Sequence, residues 1–349
     1  MACGLWPVAS TETIALTLSL IIQTSYLGDV ILTTPLIAEL ARHGPVDLLV
    51  TPGGADILAN NPSISRTLVY DKRGSQRGLR GLREIALATR TASSDSVAYC
   101  AQGSFRTAVV ALLAGYKQRV GFDTSAARWL YTRRARYRPG RHHAERLLRL
   151  ALGDDVEVAH ETLRPALYPG DGERRAVDAL LASAGYAREP LIALAPGSVW
   201  ATKRWPYYAD LASRLSTAGR LVVIGSRDDH GLARAIGDAC DGSAIDATGA
   251  LSLLGSAELL VRCALLVTND SAPQHLASAM GTPTLTIFGP TVPAFGFGPL
   301  APQSLVAEHP ALACRPCHPH GPVTCPLGHW RCMRELAVES VLSRVDAVA

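Results

Sequence analysis

Three short polar loops carry the residues that could do chemistry. The first is Thr24-Ser25-Tyr26-Leu27-Gly28-Asp29-Val30, where Gly28 permits a tight turn and Asp29 offers a carboxylate able to take a proton from a hydroxyl. The same Asp29 also reads as the N-cap of a following helix. The second joins Pro196-Gly197-Ser198 to Thr202-Lys203-Arg204-Trp205-Pro206. Small residues ahead of a helix present free N–H groups to an anion, and Lys203 adds a point charge suited to phosphate. Lysine occurs only at 72, 117 and 203 among 34 basic residues, so a lysine here stands out, although a solvated loop lysine beside a core tryptophan has the same sequence. The third is Asn269-Asp270-Ser271-Ala272-Pro273-Gln274-His275. Ser271 and the unpaired N–H groups of a first helical turn suit a diphosphate, and Asp270 suits sugar hydroxyls. His275, one turn further, either points at the same group or packs within its helix. A further polar turn is Gly289-Pro290-Thr291, and in Gly225-Ser226-Arg227-Asp228-Asp229 a helix-capping Asp is expected over a ribose-binding one.

Near the C-terminal end, four cysteines are spaced Cys314-x2-Cys317-x7-Cys325-x6-Cys332 in a Pro- and Gly-rich stretch. In a cytosolic chain such a set fits a structural tetrahedral Zn or Fe site better than disulfides. His318, His320 and His329 are candidate substitutes, and a reduced loop with idle thiols is the alternative. That segment is expected to lie apart from the three chemical loops.

The elements that must position these residues alternate in type. Strands are predicted at Ile14–Thr24, Val46–Thr51, Leu68–Tyr70, Ser96–Ala101 and Gln118–Val120, with helices at Asp29–His43, Leu79–Thr91, Phe105–Ala114 and Arg141–Leu152. Val156 to Gly172 loses both periods and reads as a linker. Beyond it come a helix at Glu173–Gly185, strands at Leu191–Ala195, Leu221–Ile224, Leu265–Thr268 and Thr284–Phe288, and helices at Tyr207–Ala218, Gly231–Asp238, Leu253–Cys263 and Ala272–Met280. The pattern predicts an α/β chain of two doubly wound parallel-sheet domains, residues 1–168 and 169–349, with ligands in the cleft beyond the strand ends.

Composition narrows the function. The chain has 349 residues, a net charge of +4 and only 18% charged residues, which excludes a disordered chain. Residues 1–168 carry 20 basic against 14 acidic residues, and the Arg- and His-rich run 128–149 with a second set over 66–83 predicts an anionic partner for the front half. Aromatic residues at 6%, with no interleaved basic motif, argue against nucleic acid. No apolar run reaches the ~20 residues of a membrane span, and the first 22 residues lack the basic start of a signal peptide. A cytoplasmic location is expected. Signatures of a phosphate-cradling NTPase loop, a G-x-G-x-x-G turn, a G-x-S-x-G elbow and an H-E-x-x-H zinc helix are absent.

Taken in order, the three loops resemble the motifs of glycosyltransferase family 9, the lipopolysaccharide heptosyltransferases. The likeness rests on Thr24 to Val30 with Pro35, on Pro196-Gly197 with Lys203-Arg204-Trp205-Pro206, and on Asn269-Asp270-Ser271 with His275, Ala277 and Gly289-Pro290-Thr291. It implies a GT-B architecture of two facing Rossmann-like domains, acceptor in the first and nucleotide-sugar in the second. It implies inverting transfer of a heptose-type sugar, usually from ADP-heptose, to a lipopolysaccharide-core or other cell-surface glycan or glycolipid, without a catalytic metal or other cofactor, with peripheral contact at the inner membrane face. Asp29 would be the general base and Lys203 would neutralise the departing diphosphate. Pro196, Gly197, Ser198, Thr202, Asp270, Ser271, Ala272, His275 and Gly289 would hold the donor, with Ser25, Tyr26 and Gly28 beside the acceptor. Ala272 stands where the family often has Gly. A nucleotide-sugar 2-epimerase of similar architecture would turn over donor with no acceptor present, and a non-catalytic sugar-nucleotide-binding module would transfer nothing.

Overall fold

A computed structural model describes residues 17–348. The predicted strand start at Ile14 and Cys3 lie outside the described residues. Two six-stranded sheets, every pairing parallel, form the scaffold. The first lobe contains β1 (Ser19–Gln23), β2 (Val46–Val50), β3 (Arg66–Val69), β4 (Val97–Cys100), β5 (Gln118–Phe122) and β6 (Arg133–Ala135), in the order β3-β2-β1-β4-β5-β6. The second contains β7 (Leu191–Ala195), β8 (Arg220–Val223), β9 (Ile245–Asp246), β10 (Leu265–Asn269), β11 (Thr284–Phe288) and β12 (Ser304–Glu308), in the order β12-β11-β10-β7-β8-β9. Counted from its own first strand, each lobe has the same order, the doubly wound pattern expected. The strand runs are buried on both faces: β1, β2, β7, β10 and β11 have no exposed residue, which is why their sequences are nearly continuous in Leu, Ile and Val.

In such a sheet the strand order reverses at one place, and ligands sit in the crevice there. In the first lobe that place lies between β1 and β4, in the second between β7 and β10. The loops after β1, β7 and β10 are those that carry Asp29, Lys203 and Asp270.

Several local expectations are corrected. The single helix predicted over Asp29–His43 is two, Leu27–Ile31 and Thr34–Ala41. Pro35 lacks an N–H and sits in the first turn of the second helix, while the Thr33 hydroxyl donates to the Asp29 carbonyl at 2.7 Å and ends the first. The helix expected from Glu173 starts at Asp171, because the Glu173 carboxylate accepts the Gly170 N–H at 2.8 Å. The linker holds a short 3-10 turn, His160–Leu163. Strands β6, β9 and β12 and the helix Pro52–Ile57 were not foreseen. The first of these is an Arg-rich edge strand, and the helix hides behind Pro-Gly-Gly.

Candidate functional site

The loop after β1 delivers Asp29 in the first turn of Leu27–Ile31, with Tyr26 as N-cap. Asp29 is therefore not a capping residue. Its Oδ2 accepts from the Ser25 hydroxyl at 2.5 Å, and its Oδ1 lies 3.5 Å from His143 Nε2. His143 opens the helix His143–Leu152 and was grouped by sequence only with the basic run. Burial pushes its pKa down; the Asp29 carboxylate acts upward and Arg146 downward.

In the second lobe, Asn269 staples two loops together: its amide nitrogen donates to the Pro196 carbonyl at 2.8 Å and its oxygen accepts from the Trp205 N–H at 3.2 Å. That brings Lys203 beside Asp270. Lys203 Nζ donates to Asp270 Oδ2 at 2.6 Å, and both side chains are about nine-tenths buried, 10% and 9% exposed. The same Oδ2 accepts from Thr291 Oγ1 at 2.6 Å, and Oδ1 accepts from Gln274 Nε2 at 2.9 Å. Every strong donor around Asp270 is thus fixed, so the ammonium is held where it can meet an anion without a search. Ser271 is the N-cap of Ala272–Met280, whose first turn carries Pro273.

One cavity of about 250 Å³ is lined by both sets: Gly28 and Asp29 from the first lobe, Ser198, Lys203, Asp270, Ser271, Ala272 and His275 from the second. A second cavity, about 810 Å³, continues into the second lobe past Gly197, Gly225, Asp228, Gly249 and Leu254. A third, about 700 Å³, opens on the first-lobe side past Ser25, Asp29, Gln102, Tyr137, His143 and Arg146. The first cavity shares Ser198, Ser271 and Ala272 with the second and Asp29 and Phe297 with the third, so a molecule spanning the second and first cavities would meet a group entering from the third beside Asp29.

His275 is buried and its pKa is pushed down to about 3, by burial first and then by His142, with Asp270 acting upward and His143 and Lys203 downward. Its ring lies against Gly28 of the other lobe. Asp229 is the cap expected of it, accepting the Ser226 N–H and hydroxyl at 2.8 Å each. Tyr26 is half exposed, its ring 6.2 Å from that of His320.

Three expected donor residues are elsewhere engaged. The Pro196 carbonyl is taken by Asn269. Gly289 faces the Met333 side chain, and its carbonyl accepts from Arg315. The Thr202 hydroxyl, 3% exposed, donates to the Pro322 carbonyl. That last bond corrects another expectation, since the cysteine-rich segment does not lie apart from the site. Gly321, in the left-handed region at φ +81°, sits where a Cβ would come within 3.1 Å of Lys203 Cε, and Pro319 and His320 line two of the cavities. Only a residue without a side chain fits both the backbone angle and the Lys203 stem.

The four thiols themselves are free. Cys317 Sγ donates to the Cys314 carbonyl at 3.0 Å, Cys314 Sγ lies 3.9 Å from His329 Nε2, and Cys332 is buried in the core beside Met333. Burial, then Cys317, pushes the Cys332 thiol up to about 11. Among the described residues no three His, Cys, Asp or Glu groups stand together as a metal-holding set.

Two arginines of the basic run are structural. Arg146 donates to the carbonyls of Arg138, Pro139 and Phe295 and to the Tyr137 hydroxyl, and Arg149 donates to Glu145 and the carbonyls of residues 153, 154 and 156. Lys72 is likewise engaged, its Nζ donating to the Thr24 carbonyl at 2.5 Å, and it lines a cleft with Ser25, Tyr26 and Arg73. No helix of the described residues is long and apolar enough to cross a membrane.

A family model for glycosyltransferase family 9 (heptosyltransferase) matches residues 91–328. Lipopolysaccharide heptosyltransferase 1 of Pseudomonas aeruginosa is 30% identical over 316 residues, 85% of each chain. Among solved structures, a glycosyl transferase family 9 protein from Veillonella parvula aligns with a TM-score of 0.75 at 25% identity, over 83% of this chain and 85% of that one. E. coli ADP-heptose lps heptosyltransferase II aligns at 0.74 with 22% identity, over 95% and 98%.

Proposed function

Because the chain belongs to glycosyltransferase family 9, we propose that it moves a heptose from ADP-heptose to a hydroxyl of the lipopolysaccharide core. The observation that carries this reading is the placement of Asp29 and the Lys203–Asp270 pair, from opposite lobes, on one cavity. Asp29 takes the proton of the acceptor hydroxyl as its oxygen attacks the anomeric carbon from the face opposite the nucleotide. The new glycosidic bond forms as the bond to the diphosphate oxygen breaks, and the configuration inverts. Lys203, fixed by an Asp270 that Thr291 and Gln274 hold in turn, and the first turn of Ala272–Met280 receive the charge that builds on ADP. The nucleoside occupies the cavity of about 810 Å³, and the acceptor enters through that of about 700 Å³, with Ser25 and Tyr26 at its edge. Arg73, in the cleft beside Ser25 and Tyr26, gives the acceptor side its affinity for anionic groups, and the reaction belongs at the cytoplasmic face of the membrane.

The test is transfer to heptose-free lipopolysaccharide core. Purified protein with ADP-heptose should release ADP and add one heptose to the acceptor mass only when both substrates are present. Donor turnover without acceptor would favour the epimerase alternative, and donor binding with no transfer to any acceptor would favour a binding module. Thermal stabilisation by ADP-heptose against UDP- and GDP-sugars reads donor choice, since saturation at 100 times Kd adds ~2.7 kcal/mol.

For the thiols we propose a structural Zn or Fe ion held by Cys314, Cys317, Cys325 and Cys332. Cys325 supports this: burial acts upward on its thiol, yet the backbone N–H groups of residues 327–330 hold it below its ordinary value, a setting suited to a thiolate. Such an ion would brace the segment over Lys203 and take no part in the reaction. Stoichiometric metal with all-sulfur coordination by X-ray absorption is expected. A metal-free protein of unchanged stability would overturn it.

A further inference from the structure

His143 touches Asp29 on one side and the opposite lobe on the other. Its Nε2 is 3.5 Å from Asp29 Oδ1, and its ring stacks on Phe297 with centroids 4.8 Å apart and planes at 29°. The backbone continues the clasp: the His143 N–H donates to the Gly296 carbonyl at 2.7 Å, His142 Nε2 lies 3.1 Å from the Gly298 carbonyl, and Arg146 Nη2 donates to the Phe295 carbonyl at 2.8 Å. The loop 295–298 of the second lobe thus seats the imidazole that faces the base of the first.

The ring nitrogens are not equivalent. Nδ1 is buried without a hydrogen-bond partner, while Nε2 faces a carboxylate. A proton on Nδ1 would leave a buried donor unpaired and set the Nε2 lone pair against the carboxylate oxygen; a proton on Nε2 avoids both. The groups facing the ring are Asp29 from the first lobe, Arg146 from its own helix and His275 from the second lobe. Burial opposes a second proton most, Arg146 opposes it as well, and Asp29 alone acts the other way.

We propose that His143 is the positioning residue for Asp29: neutral, protonated on Nε2, it donates to Oδ1 while Ser25 holds Oδ2, and Phe297 of the opposite lobe fixes its plane, so the base takes its working orientation only where the two lobes meet. The inference rests on the heptosyl-transfer reading for its kinetic consequence, and on geometry alone for the protonation state. A neutral donor orients the carboxylate without the full cationic charge that would weaken it as a base.

Two measurements test it. In ¹⁵N-histidine NMR, His143 should carry its proton on Nε2 at pH 7, and the signal should change in Asp29→Asn; a proton on Nδ1 overturns the proposal whether or not transfer is observed. In the transfer assay, His143→Phe keeps the stacking on Phe297 and removes the donor. It should lower kcat ~10²-fold with the ADP-heptose KM within about twofold, and move the acidic limb of the kcat profile to higher pH by about one unit. His143→Gln, which can place an N–H near the same point, should recover at least about tenfold of the loss. An unchanged kcat in His143→Phe, or a loss with an unmoved limb and no recovery by Gln, overturns the positioning role. Wild-type protein with no transfer under the same conditions defeats the heptosyl reading instead, and the NMR result then decides for His143.

Discussion

Gly28 of the first lobe and His275 of the second meet so closely that a Cβ on Gly28 would lie 2.9 Å from His275 Cδ2. The lobes therefore touch at the floor of the cleft, through the hydrogen of one glycine and the edge of one buried imidazole.

Gly28→Ala pushes on that ring. The ring is 4% exposed and has little room to move, so we expect a stability loss of ~1–3 kcal/mol and at least about a tenfold fall in kcat/KM. Chemical denaturation and initial rates check both; ordinary rates in the Gly28→Ala protein would mean that the floor contact is dispensable.

Lys203→Ala removes the partner of a buried carboxylate as well as the charge proposed to meet the leaving group. The expected costs are ~3–5 kcal/mol in stability and ~10²–10³-fold in kcat. Adding Asp270→Ala should restore part of the stability and none of the rate, a non-additivity that a double-mutant cycle measures directly.

Asp29→Ala should leave ADP-heptose binding, read by thermal shift, close to wild type while cutting transfer ~10²–10⁴-fold. A nearly active Asp29→Ala protein would remove the base assignment.

Acid should destabilise the folded protein through two histidines held neutral. Burial pushes His142 down to about 4, with the Gly298 carbonyl acting upward and His143, Arg146 and His160 downward, and His275 is pushed to about 3; the ordinary value is 6.5. Between those values the unfolded chain binds protons that the folded chain refuses, so stability is full above pH 6.5 and falls as pH drops toward 4. The slope from each histidine approaches ~1.4 kcal/mol per pH unit below about pH 6. Urea melts at pH 7, 6 and 5 check the direction, and His142→Gln should flatten the slope.

Much of this was legible in the chain. Strand Thr284–Phe288 and helix Ala272–Met280 are read from sequence to the residue, because apolar runs and helical periods are local signals. The loops bearing Asp29, Lys203 and Asp270 follow strands as expected, and the family motifs fall on them. What sequence could not carry is contact between distant positions. The Lys203–Asp270 pair, the Thr202–Pro322 bond and the approach of His143 to Asp29 join residues with no common local pattern. Arg146 and Arg149 show the same limit: a guanidinium spent on backbone carbonyls has the same letter as one facing solvent. Strand β6 was missed because an Arg-rich edge strand lacks the apolar run that marks a buried one.

The contact between Gly321 and the stem of Lys203 makes the tail of the chain answerable for a lysine more than a hundred positions earlier. A protein shortened to residue 313 would still contain all three signature loops and would pass any search for them. It would nonetheless have lost the lid above its ammonium group and the anchor for the Thr202 hydroxyl, so a complete set of motifs does not by itself amount to a finished catalyst.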